Sequence, residues 1–241
     1  MSGHSKWATI KRKKGANDAI RGAMTTKISR EITIAVKMGG ADPTGNMRLK
    51  LALSKAKANN VTKENINRAI QKGLGASDTS NYEEITYEGY GPGGAALMLD
   101  ILTDNRNRTA ANIRHIFSKH GGNLGENGCV AWMFKKKAVF TVDKETFDDE
   151  DTLMEIAMDA GAEDFIEEDD SFTILTSPED FSEVRAALES AGIPMADADI
   201  QMIPQNYVDL ANDDDINNLN RILDLLDEDD DVQEVFHNWN E

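Results

Sequence analysis

Five cations and one tryptophan stand close together at the start of the chain, which begins MSGHSKWATIKRKKG. No acidic residue precedes Asp18, so these cations repel one another unless a polyanion neutralises them. Lysine and arginine bind phosphates, and an indole ring stacks on an unpaired base. The arm is therefore predicted to bind nucleic acid. Its candidate residues are Lys6, Trp7, Lys11, Arg12, Lys13 and Lys14.

A second candidate is the stretch TDNRNRT, residues 103–109, which is predicted to join a strand to a helix. Arg106 and Arg108 would then lie at the helix N-terminus, where the helix dipole disfavours a cation by about 0.3–1 kcal/mol. Two interpretations stay open. Either the arginines pair with Asp104 or with carboxylates elsewhere in the chain, or they converge with helix amides on a phosphate.

No residues have the spacing of a catalytic or metal-binding set. His115 and His120 are five apart on a predicted helix and lie on different faces, so they do not form a zinc pair. Cys129 has no CxxC partner and no activating base nearby in sequence, and it is expected to be a small buried residue. We therefore expect no catalytic residue, no metal and no cofactor, and a protein that is not an enzyme.

Charge is distributed unevenly along the 241 residues, whose formal net charge is −17. Residues 1–75 hold 16 Lys/Arg and four Asp/Glu, whereas residues 135–241 hold six and 32. A polyanion should therefore meet the N-terminal third, and the acidic remainder should repel it. The acidic runs EEDD (167–170) and DEDDD (227–231) are predicted to be solvated surface.

The composition favours a cytoplasmic protein. No apolar stretch approaches the ~20 residues that span a bilayer, so no membrane association is expected. A single cysteine fits a reducing compartment. An organelle transit peptide is the alternative for the basic N-terminus, but Gly3 and Gly15 flank its lysine cluster. We expect a monomer.

Helical periodicity dominates the first third. An apolar stripe at every fourth residue from Ile20 to Val36 predicts one helix that ends at Gly39-Gly40. A second helix is predicted to begin at Asp42-Pro43, and a third after a Thr62 cap. The cations predicted to lie outside this core are Lys27, Arg30, Lys37, Lys50, Lys57 and Arg68.

The remainder is predicted to be α+β. ITYEGY and AALMLDIL form a hairpin across GPGG, a helix follows TDNRNRT, and CVAWMF is a strand. Later segments have the order βαββαβ of a ferredoxin-like module, and a helix and a strand complete the chain. The fold class is thus an N-terminal helical bundle followed by two α+β domains, one inserted into the other. The predicted domains are 1–78, 79–135 with 205–241, and 136–204.

Long segments of the sequence resemble the YebC/PmpR family of bacterial regulators, to which the mitochondrial translational activator of cytochrome oxidase subunit I is similar. The segments are GHSKWATIKRKKG, YEGYGPGGAALML, LTDNRNRTAANIRHIFSKHGGNLGENGCVAWMF, MIPQNYVDL and DDVQEVFHN. Members are described as DNA-binding transcriptional regulators or as ribosome-associated factors for proline-rich sequences. The resemblance implies nucleic-acid binding by Lys6, Trp7, Lys11, Arg12, Lys13, Lys14, Arg21, Arg106 and Arg108.

Residue patterns favour RNA over DNA as the partner. The third helix, KENINRAIQKG, is a poor match to a recognition helix that reads the major groove. A cationic arm with one aromatic ring suits irregular RNA, such as ribosomal RNA or tRNA, where it can order on binding. These patterns predict an RNA partner, and the resemblance then implies a translation factor bound to RNA and the ribosome, with DNA-binding transcriptional regulation as the alternative.

Overall fold

A computed structural model describes residues 18–75 and 82–240, with side chains from residue 22 onward. It separates into two compact units. One contains Met133–Asp209, and the other contains Leu210–Trp239 together with the described residues up to Trp132. The finer division into three domains stays a prediction. No helix in the described ranges has the length and apolarity needed to cross a membrane.

The helical region consists of α1 (Asp18–Gly39), α2 (Met47–Ala58) and α3 (Lys63–Leu74). The predicted stripe of α1 is its core face, since Ile28, Ile32 and Val36 are all buried. They pack with apolar residues of α2 and α3. Thr62 caps α3 as predicted, because its side chain accepts a hydrogen bond from the Asn65 amide.

The predicted start of the second helix is wrong. Residues 43–45 form a turn, and α2 begins only at Met47. Asn46 fixes this boundary: its side chain accepts from the Leu49 amide and donates to the carbonyls of Ala35, at 2.7 Å, and Gly40, at 2.8 Å. These bonds to the end of α1 outweigh the local cap-and-proline signal at Asp42.

The predicted hairpin is confirmed. Strands β1 (Glu83–Tyr90) and β2 (Ala96–Thr103) pair antiparallel along their full length. Gly93 and Gly94 in the turn have φ values of 66° and 82°, a region that favours glycine. The turn leads into a strand and not into a helix, so it is not a phosphate-binding loop. Helix α4 (Arg106–Lys119) and the two-residue strand β3 (Asn123–Leu124) follow.

The prediction of a strand at CVAWMF is wrong for most of its length. Residues 126–130 turn, and Ala131–Met133 form a short 3-10 segment. Only Phe134 belongs to a strand, β4 (Phe134–Asp143). Cys129 is only partly buried, contrary to expectation.

The unit Met133–Asp209 has the predicted βαββαβ order. After β4 come α5 (Glu150–Asp159), β5 (Asp164–Glu167), β6 (Ser171–Thr176), α6 (Phe181–Ser190) and β7 (Asp197–Pro204). The strands form one antiparallel sheet in the order β5-β6-β4-β7, as in a ferredoxin-like module. Phe140 and Phe181 stack with ring centroids 5.0 Å apart, which joins α6 to the sheet.

The other sheet is completed by the end of the chain. Helix α7 (Asp213–Glu228) leads to β8 (Val232–His237), which pairs with β2 and gives the order β3-β1-β2-β8. Its core includes Phe117 of α4, Leu219 of α7 and Trp239. The α+β fold class, with an N-terminal helical region and two four-stranded antiparallel sheets, is confirmed.

Candidate nucleic-acid interface

Most of the predicted binding residues precede the part of the chain that the structure describes. Lys6, Trp7, Lys11, Arg12, Lys13 and Lys14 lie outside the described residues, as does the Arg21 side chain. Their role in binding stays a prediction. Arg106 and Arg108 are described, together with the cations of the helical region.

The TDNRNRT stretch folds as predicted between β2 and α4. Asn105 is the N-cap of α4, and its side-chain oxygen accepts a hydrogen bond of 3.1 Å from the Arg108 amide. The Thr103 hydroxyl accepts from the Asn105 amide at 2.9 Å, which holds the cap residue in place. Arg106 is therefore the first residue of the helix, and Arg108 lies within its first turn.

The two arginines have different environments. The Arg108 guanidinium donates to Asp104 at 2.9 Å and to Asp231 at 2.8 Å. Arg106 is exposed and has no carboxylate partner within the described ranges. Arg108 thus favours the interpretation in which arginine pairs with carboxylates, and Arg106 is the member of the pair that is open to a phosphate.

Asp231 is the centre of a buried polar cluster. One oxygen accepts from Arg108, from the Thr109 hydroxyl at 2.7 Å and from Thr103. The other accepts from Arg30 of α1 at 2.7 Å. Burial would raise the pKa of Asp231, but hydrogen bonds from Arg108, Thr109 and Arg30 outweigh it and hold the pKa below its ordinary value. The carboxylate therefore stays ionised and joins α1 to α4.

The acidic run DEDDD was predicted to be solvated surface, and this prediction is wrong for part of the run. Asp231 is buried, and the run contacts cations of the helical region. Lys27 is also buried, contrary to the prediction, and donates to the Asp227 carbonyl at 2.6 Å. Lys55 pairs with Glu234 in the same part of the fold, at 3.0 Å. Part of the basic charge of the helices is thus matched by acids within the same unit.

Other cations of the helical region stay open to solvent. On α2, Lys50 and Lys57 are seven residues apart and share the exposed face with Ser54. These two lysines, with Lys37 and Lys63, have no acidic partner in the described part of the chain. On α4, Arg114 and Lys119 are exposed without an ion pair on the same basis. The surface available for a polyanion comprises these cations and Arg106.

A groove between α4 and α7 is a poor phosphate site. Its volume is about 300 Å³, and Ile116 and Leu225 line it. Lys119 lines it together with the acids Glu228 and Asp229, so its formal charge is negative and disfavours a phosphate. The available cations outside the groove are therefore the better candidates.

Sequence reasoning missed a loop that is built around a buried carboxylate. Glu88 on β1 is 5% exposed and accepts hydrogen bonds from the amides of Gly128, Val130 and Ala131, at 2.7–2.8 Å. Burial would raise the pKa of Glu88, but the three amides outweigh it and lower the pKa. The sequence contains no local pattern that would pair the Glu88 carboxylate with backbone amides about forty residues later.

The same loop argues against a nucleophilic role for Cys129. Burial and the nearby Glu88 carboxylate raise the pKa of its thiol, so it stays protonated at neutral pH. Within the described ranges, no group of three or more His, Cys, Asp or Glu side chains is arranged to hold a metal ion.

Comparisons with known proteins cover nearly the whole chain. Residues 5–76 match the TACO1/YebC protein N-terminal domain, and residues 82–239 match the TACO1/YebC second and third domain. Two relatives, from Lachnoclostridium phytofermentans and Desulforamulus reducens, are each described as a "probable transcriptional regulatory protein". They are 55% and 56% identical over 242 residues, which is 100% of this chain and 100% of theirs.

A solved structure is also similar to the chain over most of its length. The crystal structure of a conserved hypothetical protein from Aquifex aeolicus is 42% identical to the chain, with a TM-score of 0.83. The match covers 92% of this chain and 91% of that one. The resemblance noted in the sequence is thus confirmed, and the chain belongs to the TACO1/YebC family.

Proposed function

We propose that this protein is a non-enzymatic regulator of gene expression that acts while bound to nucleic acid. Structured RNA of the ribosome is the preferred partner, and the proposed activity is to assist the synthesis of difficult, proline-rich sequences. The observation that carries the proposal is the set of available cations outside the groove: Lys37, Lys50, Lys57, Lys63, Arg106 and Arg114. The chain has 43 acidic residues, yet none within the described ranges pairs with these side chains.

Charge elsewhere in the chain limits the contact area. Residues 133–209 hold five Lys/Arg and 21 Asp/Glu, so this unit repels phosphates. The binding surface is therefore confined to the other unit and the N-terminal arm. A confined cationic surface, together with a third helix that is a poor match to a recognition helix, suits irregular RNA better than it suits a specific DNA operator.

DNA-binding transcriptional regulation is the second candidate. It is favoured by the description of the relatives as probable transcriptional regulatory proteins. The two candidates share the same cationic surface and differ in the polyanion that occupies it.

Sedimentation through sucrose distinguishes them. Lysate of cells that make the protein is centrifuged at low salt, with and without ribonuclease. The proposal predicts that the protein sediments with ribosomal particles and moves to the top fractions after ribonuclease treatment. A protein confined to the top fractions in both samples, and bound more tightly to duplex DNA than to RNA, would support transcriptional regulation instead.

A pair of matched variants tests the surface itself. Lys50→Gln with Lys57→Gln removes two exposed charges from α2, and Lys135→Gln with Lys136→Gln removes two exposed charges from the acidic unit. If α2 contacts two phosphates of single-stranded RNA, the first variant makes the slope of log affinity against log salt shallower by about 1.4. The control variant should leave the slope unchanged. Equal effects of both variants would contradict the assignment to α2.

A further inference from the structure

One tryptophan of the described chain is held in place and yet left open to solvent. The Trp132 side chain is 66% exposed, whereas Trp239 is 9% exposed and belongs to the core. Tryptophan buries most of its surface in the average protein, so this exposure is unusual. The Trp132 ring has no aromatic or cationic partner in the part of the chain that the structure describes. The two faces of the Trp132 ring therefore contribute little to the packing of the fold.

The backbone that carries Trp132 is nevertheless fixed. Glu88 binds the amides of Gly128, Val130 and Ala131. The Cys129 carbonyl accepts from the Tyr90 hydroxyl at 3.0 Å and from the Trp132 indole N–H at 3.1 Å. The ring thus loses much of its conformational freedom in the free protein, and binding to it costs less entropy.

We propose that Trp132 is a stacking site for an unpaired nucleobase. This inference rests on the proposed function and adds a second kind of contact to it. Because the indole N–H is already bonded to the Cys129 carbonyl, the ring offers a partner mainly its π faces. Every base has a π face, so stacking of this kind needs no particular sequence. Bases within a duplex are covered by their neighbours, which leaves unpaired RNA as the ligand.

The surroundings of the ring favour a base over a protein partner. A protein-binding hot spot is a packed cluster of anchors enclosed by other contacts that exclude water. The loop that leads to Trp132 presents Glu126, Asn127 and Gly128, all of them exposed and none apolar. A single rigid ring without such a cluster offers a flat contact of the size of one base.

Tryptophan fluorescence reports on this site directly. In a Trp7→Phe background, Trp132 and the buried Trp239 are the remaining tryptophans. The probes are a 12-nucleotide RNA without self-pairing and the same sequence annealed to its complement. We expect the single strand to quench the emission and the duplex to leave it nearly unchanged.

Affinity measurements separate stacking from phosphate binding. Trp132→Ala should weaken single-strand binding roughly five-fold to a hundred-fold. The salt slope should not change, because no phosphate contact is removed. Trp132→Phe should restore much of the affinity, since it keeps an aromatic ring. Thermal unfolding followed by circular dichroism should be nearly unchanged in both variants because the ring is exposed.

The outcomes distinguish this inference from the proposed function. If Trp132→Ala binds the single strand normally while Lys50→Gln with Lys57→Gln does not, stacking is refuted and the phosphate surface stands. If neither variant changes RNA binding, the stacking site and the phosphate contact of α2 both fail, and binding by the arm is tested separately. Two further outcomes would overturn the stacking assignment. One is a Trp132→Ala variant that unfolds at a clearly lower temperature. The other is a Trp132→Ala variant that binds RNA normally but no longer binds a ribosomal protein.

Discussion

Substitution of Asp231 tests whether this one carboxylate joins helix α1 to helix α4. In Asp231→Asn the charge is lost, and an amide N–H₂ takes the place of one acceptor oxygen. The side chain is 8% exposed and bonds Arg30, Arg108, Thr103 and Thr109, so the lost contacts are largely shielded from water. The variant should unfold more easily, and the effect should be felt in the whole unit that contains Trp239.

The magnitude follows from what the two arginines keep. Breaking an isolated buried ion pair costs about 3–5 kcal/mol. Here Arg30 retains a 2.8 Å bond to the Asp230 carbonyl, and Arg108 retains Asp104. We therefore expect the free energy of unfolding to fall by about 2–3 kcal/mol, between the loss of one charged hydrogen bond and that of a full buried pair.

The neighbouring acid supplies a matched control. Asp230 is 49% exposed and its carboxylate lies 3.9 Å from Arg30, so Asp230→Asn should cost less than about 1 kcal/mol. Urea unfolding is measured for both variants by the emission of Trp239, in a background with Trp7→Phe and Trp132→Phe. Equal midpoints for Asp231→Asn and Asp230→Asn would refute the central role of Asp231.

Acid titration gives an independent check. The pKa of Asp231 is lower in the folded protein than the ~3.9 of an unfolded chain, so its contribution is complete above about pH 4. That contribution declines as the pH falls through the folded-state pKa. The difference in stability between wild type and Asp231→Asn should therefore shrink below pH 4. A difference that stays constant down to pH 2 would contradict the ionised state.

Three further substitutions probe other contacts. Glu88→Gln should lower the free energy of unfolding by about 2–3 kcal/mol and shift the Trp132 emission, because a glutamine side chain cannot accept from all three backbone N–H groups of the loop. Unchanged emission would show that Glu88 does not hold the loop. Asn46→Ala should lower the melting temperature through loss of the α2 cap and two donated bonds, and Asn46→Asp should lower it at least as much, because a buried carboxylate oxygen would face the Ala35 and Gly40 carbonyls. Gly93→Ala should lower the melting temperature because φ is 66° and a Cβ would meet Leu210, whereas Gly94→Ala meets no neighbour and should lower it less.

Local patterns were sufficient for much of the fold. Four of the signals that predicted the fold each extend over a few residues. They are the apolar residue at every fourth position of α1, the Thr62 cap, the GPGG hairpin and the cap at TDNRNRT. Each depends on periodicity or turn chemistry that the sequence shows directly. The α+β class followed from these elements and from the βαββαβ order.

The errors came from contacts between residues far apart in the chain. The start of α2 depends on bonds from Asn46 to the end of α1, and Asp231 is buried by Arg108 and Arg30, 123 and 201 residues away. The segment CVAWMF turns because Glu88, some forty residues earlier, binds its amides. No local pattern encodes these pairings, so the sequence predicted solvated acids and a strand.

The most direct test of the central claim is the salt dependence of RNA binding. Intact protein is compared with a variant in which Lys6, Lys11, Arg12, Lys13 and Lys14 are replaced by glutamine. If the arm engages about six phosphates, these contacts should contribute about −4 to the slope of log affinity against log salt on single-stranded RNA. Replacement of five arm cations should make the slope shallower by about 3.5. A flat slope for the intact protein, or an equal slope for the two proteins, would contradict the claim that the arm binds a phosphate-rich partner.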